Sequence, residues 1–220
     1  MITHHYITGE TINNVWGYWY NLLKMQNDNL TSRDGDIRGE VLNACTTILD
    51  PTKCILTHDL RKLSLRYAVG ELLWYLSGNN SLEEIQKYTN AWDRMSDDNK
   101  TVNSNYGHCI IHKYGFNQFD YIINLLKEKP DTRQAVIHIK EPSQGSSNDV
   151  NCTVYLQFFI RGKKLYMTAN MRSNDIWLGY PYDIFNFTAL QILISMILGL
   201  ELGTYTHFCG NLHLYERNVK

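Results

Sequence analysis

At 220 residues the chain is long enough for one sizeable core and too short for two full enzyme domains. With 44% hydrophobic and 20% charged residues it has the composition of an ordinary soluble globular protein. A net charge of −1 excludes a broad electrostatic pull toward nucleic acid or a membrane surface, so any phosphate site has to be a local cluster of cations.

Taken in chain order, residues 10–27 carry Trp16, Trp19, Tyr20, Leu22 and Leu23 at helical spacing and predict a first helix. The stretch from Asn27 to Gly39, with Arg33-Asp34-Gly35 and Arg38-Gly39, reads as turn-rich. From Leu60 to Leu76 apolar residues recur every three or four positions, which predicts a core helix stopped by Gly78-Asn79-Asn80. Residues 81–91 read as a short amphipathic helix before Trp92-Asp93, and Phe116 to Lys127 as a helix ended before Pro130. Strands are expected at Ala135–Ile139, Thr153–Ile160, Lys164–Met171 and Tyr205–Leu214, with a long apolar helix over 184–199. Helices around a mixed or largely antiparallel sheet make an α+β fold, and with no repeat or linker the expectation is a single domain over 1–220. The most apolar stretch, Ala189 to Leu200, falls short of the roughly 20 residues of a membrane span and reads as a buried helix.

The five cysteines (Cys45, Cys54, Cys109, Cys152, Cys209) include no CxxC pair. No signal peptide is recognisable, and free thiols in a reducing cytoplasm fit better than a disulfide framework. Cys152 stands apart because of the residues downstream of it. Asn151-Cys152-Thr153 leads to Gln157-Phe158 and then to Arg172-Ser173-Asn174-Asp175-Ile176-Trp177-Leu178-Gly179-Tyr180-Pro181-Tyr182-Asp183. A thiol, an arginine about one strand later and an RSxDxxLGxPxD turn entering a helix suggest a nucleophile beside an anion site. A lone cysteine on a strand also reads as a small buried hydrophobe, the reading that Cys45, Cys54 and Cys109 take. His207, Cys209 and His213 match no usual zinc spacing, and no metal is expected.

In order and type these motifs resemble the thymidylate synthase family of pyrimidine-nucleotide C5 transferases, from Arg33 to Tyr215 and most strongly over 152–215. The resemblance implies a thymidylate synthase-like α+β fold with a mixed sheet flanked by helices, the sheet lying at a homodimer interface. It implies a pyrimidine nucleoside monophosphate and a folate as partners, with 5,10-methylene-tetrahydrofolate as one-carbon donor, and neither nucleic acid nor membrane. Cys152 is then the nucleophile that adds to C6 of the ring, and Arg172 stabilises the thiolate and contacts phosphate. Glu71, within Gly70-Glu71-Leu72-Leu73-Trp74-Tyr75-Leu76, resembles the glutamate that orders water and assists proton transfer; from sequence alone it is also a solvent-facing helix residue. Tyr106, in Asn105-Tyr106-Gly107, falls beside the nucleophile.

Arg33 resembles an N-terminal phosphate-binding arginine, and Arg133 one that reaches across the dimer to the partner's phosphate. The family usually carries two adjacent arginines there, and this chain has Arg133-Gln134. Gln157, Ser173 and Asp175 fall on positions that contact phosphate or pyrimidine, and His213 and Tyr215 on the pair that binds the sugar 3′-hydroxyl. Trp92, Asp175 and Gly179 fall on the folate side.

Asp183 departs from the resemblance, which places an asparagine there to read uracil. An asparagine amide complements the N3–H and O4 of uracil, whereas a carboxylate accepts from the N4 amino group of cytosine and pairs with a protonated N3. A site built for one pattern rejects the other. Asp183 as a plain helix N-cap is the competing reading. The change resembles the deoxycytidylate hydroxymethylases, in which water rather than hydride traps the exocyclic methylene. Thr153 in place of a histidine, Asn151 in place of a proline, and an expected lack of the family's C-terminal closing segment after Lys220 lean the same way. The expected activity is 5-hydroxymethylation of dCMP or CMP. The alternatives are a divergent thymidylate synthase or a dUMP hydroxymethylase acting on dUMP, and a nucleotide-binding protein with little turnover.

Overall fold

The computed structural model describes residues 2–28, 30–142 and 147–220. In chain order its elements are β1 (His5–Gly9), α1 (Ile12–Lys24), β2 (Leu30–Ser32), β3 (Gly35–Ile48), β4 (Thr57–His58), β5 (Arg61–Lys62), α2 (Leu65–Ser77) and α3 (Leu82–Gln86). Next come α4 (Tyr106–Ile111), α5 (Gln118–Glu128), β6 (Val136–His138), β7 (Thr153–Arg161), β8 (Lys164–Met171), β9 (Asn174–Asp175), α6 (Gly179–Leu198), β10 (Glu201–Tyr215) and a short 3-10 turn at Glu216–Asn218. They fall into two units, Met1–Leu63 with Arg161–Lys220, and Ser64–Ile160.

In the first unit the strand order is β1-β3-β10-β8. β1 runs parallel to β3, β3 antiparallel to β10, and β10 parallel to β8, so the sheet is mixed. β2 folds back on β3 as a hairpin and β9 adds to β10. Thr11 caps α1 in a reciprocal capping box with Asn14, and the helix buries Ile12, Val15, Trp16, Trp19, Tyr20 and Leu23 on one face. Trp19 donates through Nε1 to Thr46 Oγ1 of β3 at 2.8 Å, and Tyr180 of α6 reaches the same hydroxyl at 2.9 Å. Buried Gln191 of α6 donates through Nε2 to the carbonyls of Leu165 and Gly203 at 2.9 and 3.2 Å, tying the helix to the sheet. The α+β expectation with a mixed sheet flanked by helices therefore holds.

In the second unit β6 pairs antiparallel with β7. Gln118, at the start of α5, donates through Nε2 to the carbonyls of Cys109 and His138 at 3.0 and 2.8 Å and accepts from the amide of His138 at 2.9 Å, which fixes α4, α5 and β6 together. α2 is capped by Ser64, whose side chain accepts from the amide of Tyr67, and stops at Gly78, which turns the chain at φ 67°.

Several expected boundaries move. The turn-rich reading of 27–39 gives way to the β2–β3 hairpin, and β3 with its neighbour β1 has no counterpart among the expected strands. The core helix begins at Leu65 rather than Leu60, because Thr57–His58 and Arg61–Lys62 pair as a small hairpin. The apolar helix begins at Gly179 rather than 184, since Pro181 falls at its third residue, where no intrahelical partner for its missing N–H is needed. At 20 residues that helix is long and apolar enough to cross a membrane by length and composition, contrary to the expectation, yet half of it is buried against its own unit as a core helix is.

Candidate active site

The residues singled out from sequence lie in both units, and each unit has its own local machinery. In the second, Asn151 and Cys152 lead into β7. Asn151 is fully buried and donates through Nδ2 to the Ser104 carbonyl at 3.2 Å and to Cys109 Sγ at 3.7 Å. Buried Asp149 accepts from the Ser104 amide at 2.7 Å. Asn105 caps α4 through the amide of His108 at 2.6 Å, leaving Tyr106 as the first helical residue. The segment that ends in part-buried Cys152 is thus pinned to the residues just before and within α4.

Glu71 is buried on α2, not solvent-facing. Its Oε1 accepts from Tyr67 Oη at 2.5 Å, and Tyr67 Oη in turn accepts from Trp92 Nε1 at 3.0 Å. A carboxylate in such a place is costly without partners, and this chain of donors supplies them. Trp92 also meets Trp74 edge-on at 5.6 Å, while Tyr106 packs on Tyr75 at 5.3 Å. The structure therefore brings Glu71, Trp92 and Tyr106 onto α2. Tyr67, missing from the sequence reading, is the residue that joins two of them; its signal was the i, i+4 spacing to Glu71. Gln157 on β7 donates through Nε2 to the carbonyl of Arg133 at 2.9 Å, and the Arg133 residue itself is exposed.

In the first unit Arg33 sits in the β2–β3 turn, exposed, with a guanidinium 3.5 Å from Asp34. Ser32 Oγ, one residue earlier, is 3.5 Å from Tyr215 Oη. Arg217 donates to the Asp34 carbonyl and lies 4.2 Å over the Tyr215 ring. His213 pairs across the sheet with Asp175 of β9, and its ring stands edge-on to Tyr215 at 5.0 Å. Arg33, Asp175, His213 and Tyr215 thus share one corner of this unit, and Arg217 is the further cation there that sequence did not suggest. Burial pulls His213 down to about 4, so it is neutral near pH 7.

Asp175 is pushed up to about 6, chiefly by burial, against hydrogen bonds from the backbone at Trp177 and Leu178 and the charges of Arg217 and Arg61. Its Oδ1 accepts from the Trp177 amide at 2.8 Å, while Oδ2 is buried with no hydrogen-bond partner among the described residues. Arg172 is exposed, and Ser173 part-buried, in the link between β8 and β9. Gly179 opens α6. A Cβ there would lie 2.6 Å from Asn174 Oδ1 and 3.3 Å from Asp183 Oδ2, so only glycine leaves room for both groups. Asp183 is the fifth residue of α6, and the cap is Leu178, so Asp183 is not the N-cap. His207 and Cys209, whose spacing fits no zinc site, are buried; His207 is bonded to Tyr205 and Asn174.

This is a two-unit α+β protein in which an exposed arginine in a hairpin turn, a bonded buried glutamate and a part-buried thiol follow one another along the chain. Residues 31–220 match the family model described as thymidylate synthase, and the chain belongs to that family. Thymidylate synthase 1 of Bacillus spizizenii is 29% identical over 168 residues, covering 72% of this chain and 60% of that protein. The thymidylate synthase of Bacillus phage phi3T is 28% identical with the same coverage. The chain thus spans about 60% of the length of these relatives. Among solved structures, the thermostable thymidylate synthase A from Bacillus subtilis superposes with a TM-score of 0.79 at 23% identity, covering 95% of this chain and 81% of that one. The thymidylate synthase from T4 phage gives 0.76 at 20% identity, over 91% and 77%. At these identities the structures speak for the fold.

Proposed function

We propose that the chain is a pyrimidine-nucleotide C5 transferase that converts dCMP or CMP to its 5-hydroxymethyl derivative. The observation that carries the choice of base is the place of Asp183. It lies inside α6, five residues past the cap at Leu178, with its carboxylate turned back beside Gly179 and Asn174. Helix capping therefore does not account for an acid at this position, and a group that accepts from the N4 amino of cytosine does.

The family's one-carbon donor, 5,10-methylene-tetrahydrofolate, fits the residues present. Asp175 Oδ2 is a buried acceptor without a donor among the described residues, suited to a ring N–H, and Trp92, Asp175 and Gly179 are the residues that would hold the folate. When bound, it supplies a carbon at the oxidation level of formaldehyde. The chain's own residues do the rest. The thiolate of Cys152 forms a bond to C6 of the pyrimidine, which makes C5 a carbon nucleophile; later loss of the C5 proton and release of the thiolate restore the ring. Glu71, held by Tyr67, orders water and handles protons, and water adds at the new carbon where a hydride would give a methyl group. Arg33, Arg172, Ser173 and Gln157 bind the nucleotide's anionic end, with Arg133 contributing across a homodimer formed through the sheet. His213 and Tyr215 take the 3′-hydroxyl. A cytoplasmic place suits such a reaction.

A second reading, a divergent thymidylate synthase acting on dUMP, is favoured by the names of the relatives. The two separate on one experiment. The protein is incubated with methylene-tetrahydrofolate and equimolar dCMP, CMP and dUMP, and the products are weighed. A gain of CH2O on a cytidylate is expected; a gain of CH2 on dUMP refutes the proposal.

A further inference from the structure

Cys152 stands just ahead of β7, beyond the part of that strand that β6 pairs. The pairing runs to His138 and Tyr155, and the amides of Ile139 and Lys140 reach the Val154 carbonyl at 3.0 and 3.2 Å. Thr153 is the first residue of the strand, and Cys152 precedes it. Its two neighbours, Asn151 and Thr153, are fully buried, while Cys152 itself is part-buried.

Side chains fix the backbone there. Asp149 Oδ2 accepts from the Ser104 amide at 2.7 Å, and Asn151 Nδ2 donates to the carbonyl of that same residue at 3.2 Å. Two side chains spaced two residues apart therefore grip both backbone groups of Ser104, which immediately precedes Asn105, the cap of α4. The Asn151 amide also donates to Cys109 Sγ, in the first turn of that helix, at 3.7 Å. Cys109 is buried, and burial raises its thiol, so the sulfur is protonated near neutral pH. Its S–H points to the Asn103 carbonyl at 3.9 Å, which leaves a lone pair for the Asn151 amide.

We propose that Asn151 is a positioning residue for the reaction: it fixes the backbone from which Cys152 projects, so that the thiol meets C6 of the pyrimidine at the distance and direction that bonding requires. The inference rests on Cys152 being the nucleophile. A misplacement of about 1 Å costs on the order of 100-fold in rate, while the contacts to phosphate and sugar, made by other residues, stay in place. The plain alternative is a satisfied core amide, whose loss lowers stability and leaves each folded molecule fully active.

The test follows release of tritium into water from dCMP, CMP and dUMP tritiated at C5, using the full chain. The exchange needs no folate: the thiolate bonds to C6, C5 takes a proton from solvent and gives up the triton, and the thiolate leaves. Rates are read per folded molecule, with the folded fraction taken from near-ultraviolet circular dichroism. Asn151→Ala is expected to lower kcat about tenfold or more with KM within about twofold of the parent. Cys109→Ala removes the sulfur acceptor and is expected to lower kcat about threefold. Cys109→Ser, close to the alanine variant in volume, supplies an acceptor again and should recover most of that loss; packing alone treats the two alike. A kcat for Asn151→Ala within about twofold of the parent, or a loss carried by KM, overturns the positioning role, and an inactive Cys152→Ala then leaves the nucleophile standing. Undiminished release by Cys152→Ala, or no release by the parent from any of the three nucleotides, removes the nucleophile reading and the inference with it. Should Asn151→Ala fail to fold, equal rates in Cys109→Ala and Cys109→Ser overturn the inference alone.

Discussion

Replacing Asp175 by asparagine should stabilise the protein while impairing it. In the folded chain the carboxyl is raised to about 6 by burial, and its Oδ2 has no hydrogen-bond partner among the described residues. In the unfolded chain it titrates near the ordinary carboxylate value, about 3.9. Between those values the folded state binds the proton more tightly, so the stability linked to Asp175 is complete below the unfolded value and is lost as pH rises through 6. At pH 7.5 the loss approaches the full difference, up to about 3 kcal/mol at about 1.4 kcal/mol per unit; part of the residue reaches solvent, so this is an upper bound. Asparagine keeps the oxygen that accepts from the Trp177 amide and removes the charge. With roughly 2–4 °C per kcal/mol for a chain of this size, Asp175→Asn should melt several degrees higher at pH 7.5, and the gain should vanish toward pH 4. Thermal melts of both proteins from pH 4 to 8 read this directly, and folate-dependent turnover measured alongside should fall. A variant that melts lower at pH 7.5, or whose difference does not depend on pH, would refute the account of Asp175 as a buried acid awaiting a ligand donor.

Other perturbations act on the scaffold around the site. A Cβ on Gly107 would fall 1.9 Å from the Tyr75 carbonyl, so Gly107→Ala must push α4 off α2; a loss of about 3 kcal/mol or more is expected in urea unfolding. Tyr67→Phe removes the donor to Glu71 and the acceptor for Trp92 while keeping the ring. Turnover should fall about tenfold or more with nucleotide affinity little changed, and equal loss of both would deny Glu71 a proton-handling role. His213 and His207 are lowered to about 4 and about 3, so the unfolded chain takes up their protons first. The stability they carry is complete above about 6.5 and lost as pH falls toward those values. Melts of His213→Gln should be flatter than those of the parent between pH 7 and 4.

Legibility from sequence followed locality. β8 matches its expected bounds because Lys164–Met171 is a strand by its own alternation, set off by a turn at Gly162-Lys163. β3 is twice as long as most strands and escaped, because Asp34-Gly35-Asp36, Gly39 and Asn43 read as turn residues. What makes it a strand is pairing on both sides, with β1 and β10, which no window of sequence contains. At the site, Glu71 and Asp175 could be named from motif order, but their environments could not. Tyr67 was within reach through its spacing on α2. The meeting of Asn174 with His207 was not, since 33 residues separate them and only the folded unit sets the side chain of one beside that of the other.

The same contrast separates acids that hold structure from acids that do chemistry. Asp98 lies in a loop, where its carboxylate accepts from the amides of Thr101 and Lys100 and from the Thr101 hydroxyl; these bonds hold its pKa well below the usual range. Such an acid is stabilised by its charge, and its role ends with the loop it closes. Asp175 is the reverse case: the fold opposes its charge and leaves an oxygen buried without a donor among the described residues. A chain of this length has little stability to spare, and a buried acid that lowers it at neutral pH persists when something bound restores the missing bond. Ligand binding at Asp175 should therefore raise the melting temperature more in the parent than in Asp175→Asn, which has no charge left to satisfy.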